Sequence, residues 1–212
     1  MSNIHVFDNV ISKPHQQYLE EVCLGGGPCI KWLFNDSTVG LSERLTKWKS
    51  EVTVDTPQMT HGFFDDVFND SAFEFHDGLI LPIKFNLEEL SGLKLPIERV
   101  KANILFNTGN TDTNIMGMPH SDMSMAGYMA GVYYVNDSDG DTILFENFDK
   151  PDVYSPYTPV KPANKVELRI EQRVTPKRGR LVLFEANRLH CSSNPIVNNT
   201  RCVLNFIFKL EK

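Results

Sequence analysis

Near residue 98 the apolar residues of this chain change their period. Before that point they recur at helical spacing; after it they alternate, in short runs separated by turn residues. Alternation puts every second side chain on one face, the pattern of a half-buried strand. Read this way, strands are expected at 99–107, 120–126, 130–135, 142–145, 166–174, 180–185, 190–194 and 201–210. Residues 203–208 are apolar on both faces, as a central strand should be. Asn136 to Gly140 and Pro176 to Gly179 carry turn chemistry, while 107–117 and 147–164 read as loops. Upstream, 9–24 predicts a helix with Ser12 as N-cap, Pro14 in the first turn and Gly25, Gly26 and Gly27 as the stop. Residues 28–60 are mixed, with room for short strands. A second helix is expected over 73–90, on Phe75, Leu79, Ile80, Ile83, Leu87 and Leu90, with Pro82 predicting a kink or break. Helices first and then about eight short strands predict an α+β chain whose β part closes as a double-sheet jelly roll. The division expected is a helical and mixed support region, 1–97, and a β core, 98–212, within one domain.

The bulk numbers narrow the function classes. A length of 212 residues suits one domain with a real core. A net charge of −6 and a pI of about 5.5 argue against a nucleic-acid partner, which would favour a basic surface. The N-terminus lacks a basic segment followed by an apolar run, and no stretch has the length to span a bilayer, so neither a secretory signal nor a membrane partner is expected. Cys23, Cys29, Cys191 and Cys202 show no C-x-x-C spacing. Disulfide frameworks and zinc knuckles are thereby disfavoured, and a reduced cytoplasmic compartment is expected.

The chemistry-bearing residues cluster in the β region. His120-Ser121-Asp122 is an H-x-D tripeptide, and on a strand its outer two side chains point the same way and can share one metal. His190, closing the segment Gly179 to His190, is the candidate third ligand. Two His and one carboxylate on one face of a metal, with open positions opposite, is the arrangement of non-haem Fe(II) oxygenases. Arg201 opens the apolar strand that follows. Buried in a barrel, an Arg needs an anion, and its guanidinium forks onto a carboxylate through two parallel hydrogen bonds. A dicarboxylate with one end on the metal would reach it with the other. Cys191 and Cys202 each follow a site residue and should face away from it, as packing.

These fragments come in a telling order: His120-x-Asp122, Gly131 to Asn136, Asp139 to Phe145, Pro176 to Phe184, His190 and Arg201. The order resembles the 2-oxoglutarate/Fe(II)-dependent dioxygenase superfamily, most of all its prolyl-4-hydroxylase-like branch, over about residues 98–210. The resemblance implies a double-stranded β-helix (jelly roll) with flanking N-terminal helices. It implies an oxidoreductase in which His120, Asp122 and His190 bind Fe(II) and Arg201 holds the far carboxylate of 2-oxoglutarate. Asn103 stands where the branch often has a co-substrate-binding Tyr, and Tyr133 is a further candidate contact. The implied reaction is O2-driven decarboxylation of 2-oxoglutarate to succinate and CO2, coupled to C–H hydroxylation of a peptide, amino acid or small molecule, with ascorbate as a candidate reductant. Four departures lead away from proline as substrate: Gly117 replaces the Tyr common three residues before the first His, Asn103 stands at the other Tyr position, Gly140-Asp141-Thr142 replaces G-G-T, and Arg201 replaces the Lys of collagen-type enzymes.

Two other readings compete. A nucleic-acid demethylase of the same superfamily usually carries a second Arg about six residues after the distal His, where this chain has Ile196. A non-catalytic metal-binding jelly-roll module would need no buried Arg at that strand.

Overall fold

The computed structural model describes residues 4–25, 30–38, 53–65, 73–146 and 168–211. Twelve strands and two helices lie among them. In chain order these are β1 (His5–Phe7), α1 (Lys13–Leu24), β2 (Leu33–Asn35), β3 (Thr53–Val54), β4 (Gln58–Asp65), α2 (Phe73–Ser91), β5 (Ile97–Phe106), β6 (Met116–Gly117), β7 (Tyr128–Tyr134), β8 (Thr142–Phe145), β9 (Ile170–Val174), β10 (Leu181–Glu185), β11 (His190–Ser192) and β12 (Thr200–Lys209). Gly26, Gly27, Cys29, residues 147–164 and the start of the expected strand 166–174 lie outside the described residues.

Seven strands form one sheet in the order β1-β10-β7-β12-β5-β4-β2, and β11-β8-β9 form a second. The apolar strand β12 sits at the centre of the large sheet, and its alternation divides the molecule into two cores. Cys202, Leu204, Phe206 and Phe208 face the helices, together with Tyr133, Leu19, Ile83 and Leu87. Val203 and Ile207 face inward with Ala130, Val132, Tyr134, Leu144, Val182 and Phe184. Three strands of the large sheet, β1, β2 and β4, come from the first 97 residues.

Helix α1 begins at Lys13, not at Asn9: Asn9 has a φ of 53°, which a right-handed helix cannot include. Ser12 is the N-cap residue, though its side chain makes no capping hydrogen bond, and Pro14 lies in the first turn. Helix α2 runs unbroken through Pro82. A proline inside a helix costs about 3 kcal/mol. Burying one large aliphatic side chain returns about 1.5–3 kcal/mol, and Leu79, Ile80, Ile83 and Leu87 are all buried. Leu90, expected on the buried stripe, is exposed.

The strand expected at 120–126 does not form. Only a single antiparallel bridge, His120 to His190, exists there, and the chain then bends to Gly127 at a φ of 91°. Pro119 has no N–H for a ladder, and Ser124, Met125, Ala126 and Gly127 are exposed, with no apolar face to bury.

Candidate metal centre

His120 and Asp122 still converge, but by tethering rather than by strand pleat. His120 N–H donates to His190 O at 2.9 Å and His190 N–H to His120 O at 2.8 Å. On the other side of Asp122, Met123 N–H donates to Ala186 O at 3.0 Å. Three candidate ligand atoms, one each from His120, Asp122 and His190, lie within 4.8 Å of one another. The two imidazoles have centroids 4.6 Å apart, and His190 Nε2 lies 3.5 Å from Asp122 Oδ2.

The donor set fits a divalent metal. Each Nδ1 faces a backbone carbonyl at 3.0 Å, Met118 O for His120 and Arg188 O for His190. A carbonyl only accepts, so Nδ1 carries the proton and Nε2 keeps its lone pair for a metal. Burial pushes the His190 imidazole down to about 4; His120 adds to the effect and Asp122 opposes it. Burial disfavours the Asp122 anion, but His190, His120, Lys101 and Arg99 outweigh it and hold the carboxyl below its usual range. A neutral imidazole beside an anionic carboxylate is the protonation pattern that metal coordination requires.

Arg201 lines the same interior cavity as the three residues. It is 4% exposed. Its Nε–H donates to Gly140 O at 2.7 Å and an Nη–H to Thr142 Oγ1 at 2.8 Å, and the guanidinium lies 5.7 Å from the Tyr134 ring centroid. None of these partners is a carboxylate, so among the described residues this buried cation has no carboxylate in contact. Gly140 makes this approach possible: a Cβ there would lie 2.6 Å from Ser193 O and 3.0 Å from Arg201 Cδ. Gly117 is constrained likewise, because a Cβ would meet Ser192 O at 2.7 Å. The strand crossing here excludes any side chain, a Tyr included.

Asn103 also lines the cavity, with its amide donating to Gln58 Oε1 at 2.7 Å. Tyr133 is not brought to the site. It sits on the helix-facing side of β7, fully buried, and its hydroxyl has no hydrogen-bond partner among the described residues. Its neighbour Tyr134 is the inward residue. Register explains this: Val203, which faces inward, pairs with Tyr134, and directly opposed residues share a face. Cys202 packs in the helix-side core, as expected, whereas Cys191 packs with Ile143 and Phe145 but also lines the cavity.

Among the lining residues that sequence reasoning missed are these four: Thr142, Lys101, Gln58 and Asn205. Thr142 Oγ1 accepts from Arg201 and shares a hydrogen bond of 2.7 Å with the Tyr134 hydroxyl. Strand parity carried a signal for two of the four. With Arg201 inward, Asn205 follows on the same face; with Asn103 inward, Lys101 follows.

Neither a protein-family model nor a curated protein matches this sequence. Solved structures do match the fold. The epimerase SnoN, in complex with Fe3+, alpha ketoglutarate and nogalamycin RO, superposes with a TM-score of 0.60 at 14% identity, covering 98% of this chain and 79% of that one. An oxidoreductase of the 2OG-Fe(II) oxygenase family from Burkholderia pseudomallei gives a TM-score of 0.60 at 9% identity, over 98% and 85%. A prolyl hydroxylase from Trichoplax adhaerens, in complex with a hypoxia inducible factor peptide fragment, gives 0.52 at 12%, over 99% and 84%. The chain therefore has the double-stranded β-helix fold that these 2-oxoglutarate oxygenases share. Epimerase and prolyl hydroxylase alike use this scaffold, so the fold leaves the reaction and the branch open.

Proposed function

We propose that this protein is a 2-oxoglutarate- and O2-dependent Fe(II) oxygenase that hydroxylates a C–H bond of a peptide, amino acid or small molecule. One observation carries the reading: a His-Asp-His cluster with His190 buried, and a buried arginine with no carboxylate in contact among the described residues, line a single cavity. His120, Asp122 and His190 would hold Fe(II) through two Nε2 atoms and a carboxylate oxygen. Bound there with 2-oxoglutarate, iron supplies the oxidative chemistry that splits the keto acid to succinate and CO2 and delivers oxygen to substrate.

The chain's own residues then do three things. Met118 O and Arg188 O fix the imidazole tautomers. Arg201, with the Thr142 hydroxyl beside it, holds the far carboxylate of 2-oxoglutarate by charge-assisted hydrogen bonds. Val132 and Val203 line the cavity with apolar surface and keep bulk water from the reacting atoms. Asn103, through its amide oxygen, is a weaker candidate contact. Residues 98–212 would be the catalytic core and 1–97 its support. The order of motifs supports the prolyl-4-hydroxylase-like branch, whereas Gly117 and Arg201 lead away from proline as substrate. Three buried free thiols, Cys23, Cys191 and Cys202, fit a reduced compartment such as the cytoplasm.

Anaerobic addition of Fe(II) and then 2-oxoglutarate should produce a weak visible charge-transfer band, and exposure to air should release succinate. Absence of both would sink the reading. If 2-oxoglutarate binding is the same in Arg201→Ala, Arg201 is not its anchor.

A further inference from the structure

Beside the metal cavity lies an open groove of about 440 Å³, lined by Asn35, Thr60, Gly62, Arg99 and Lys101 among others. Thr38, Gln58 and Lys101 line both spaces, so the groove adjoins the cavity of the candidate metal centre. Its volume falls within the range of about 300–1,000 Å³ typical of small-molecule sites. Arg99 stands at the junction. Its side chain is 29% exposed, and among the described residues its acidic partner is Asp122, an Nη lying 3.4 Å from Oδ1. That is a long contact for a charge-assisted bond, which ordinarily spans about 2.7–2.9 Å. The Arg99 Nε is buried with no hydrogen-bond acceptor. A guanidinium has five N–H donors, and among the described side chains this one meets a single distant carboxylate oxygen, on a residue whose other oxygen lies in the His-Asp-His cluster.

We propose that Arg99 anchors an anionic group of the primary substrate, so that the molecule oxidised here is a small carboxylate-bearing compound. This rests on the oxygenase reading and names its substrate class. A partly buried guanidinium with open donors beside a groove is matched by the planar fork of a carboxylate. A phosphate dianion fits less well, because Asp122 directly behind Arg99 repels a second negative charge. A substrate held at Arg99 lies next to Asp122, so its neighbouring carbons come within reach of the metal position, while 2-oxoglutarate is directed to Arg201 at the other side of the cavity.

The test uses the full chain, 15N-labelled and loaded with Zn(II) and saturating 2-oxoglutarate so that the Arg201 site is filled. The Arg99 Nε–H resonance, identified by its loss in Arg99→Lys, is followed by NMR during titration with acetate, acetamide or inorganic phosphate. Acetate should shift it saturably, with a Kd on the order of millimolar, and acetamide should not. In Arg99→Gln, acetate affinity, measured by calorimetry, should fall roughly ten-fold or more, while 2-oxoglutarate affinity stays within about two-fold of the parent, a readout independent of turnover. Equal responses to acetate and acetamide, or no response, overturn the proposal, and so does a response to phosphate alone. Loss of Zn(II) affinity in Arg99→Gln with acetate binding unchanged makes Arg99 a positioning residue for Asp122 and overturns it equally. The two readings fail separately: a chain that does not bind 2-oxoglutarate sinks the oxygenase, whereas a silent Arg99 in a chain that does bind it sinks only the anchor.

Discussion

His190 meets two demands at once, as a core side chain and as a candidate ligand. Packed at 4.9 Å from the Phe184 ring and 4% exposed, it is kept neutral by burial, and its Nδ1 is fixed by the Arg188 carbonyl. Its partner Asp122 must carry the charge. Asp122→Asn keeps the shape but removes that charge, and Mn(II) affinity should fall at least about ten-fold; unchanged affinity by titration would remove Asp122 from the ligand set. Asp139 plays a structural part at the same scale. Its carboxylate accepts the backbone N–H groups of Ile196, Val197 and Asn198 at 2.8–3.0 Å, closing the loop that leads into Arg201. Burial disfavours its charge, but these three donors prevail and hold the carboxyl below its usual range. A depressed folded-state pKa means stability that is present above the unfolded value, about 3.9, and is lost as pH falls through the folded one. Asp139→Asn should therefore cost about 1–2 kcal/mol at pH 7 by urea unfolding, with the difference shrinking as pH drops below 4. A pH-independent difference would show that the carboxylate charge is not what holds the loop.

At the scale of elements, the two faces of β7 offer a sharp comparison. The Tyr134 hydroxyl hydrogen-bonds with Thr142 Oγ1 at 2.7 Å and lies 3.2 Å from Val174 O, whereas the Tyr133 hydroxyl is buried without a partner among the described residues. Tyr134→Phe should cost about 1–2 kcal/mol in urea unfolding and loosen Thr142 beside Arg201. Tyr133→Phe should be neutral within about 0.5 kcal/mol or stabilising, since it removes an unsatisfied polar group. The reverse ranking would mean that the strand faces the other way. Pairing between β8 and the segment after β11 is equally demanding: Gly140→Ala inserts a methyl 2.6 Å from Ser193 O. That clash should destabilise the chain by about 1–3 kcal/mol and raise the 2-oxoglutarate Kd, measured by calorimetry, through displacement of Arg201. Strand periods were legible from sequence where both strand faces had buried neighbours, as in β8 and β12. They misled at 120–126, where alternation of polar and apolar residues came without a partner strand.

For the molecule as a whole, ligands that bind only the folded state must raise its stability. A divalent metal at 100 times its Kd should add about 2.7 kcal/mol, measurable with Ni(II) by thermal or urea unfolding, and 2-oxoglutarate should add a further increment only with metal present. Arg201→Ala should keep the metal increment and lose the 2-oxoglutarate one; an unchanged second increment would assign the co-substrate carboxylate elsewhere. No helix among the described residues is long and apolar enough to cross a membrane.

By itself, the sequence determined the chemistry available and the outline of the barrel. Residue types at 120, 122, 190 and 201 and the change of period near 98 are local facts, and local facts set ligand type, strand spacing and turn position. Only the tertiary structure decided which face of each strand is the inside. Parity within a strand is fixed by sequence, but its sign depends on register with partners that are distant in the chain, and that register turned Tyr134 inward and Tyr133 outward. The same holds for Arg99: whether its cation meets an acid, water or an open groove depends on what β4 and the His120–Asp122 turn bring to it.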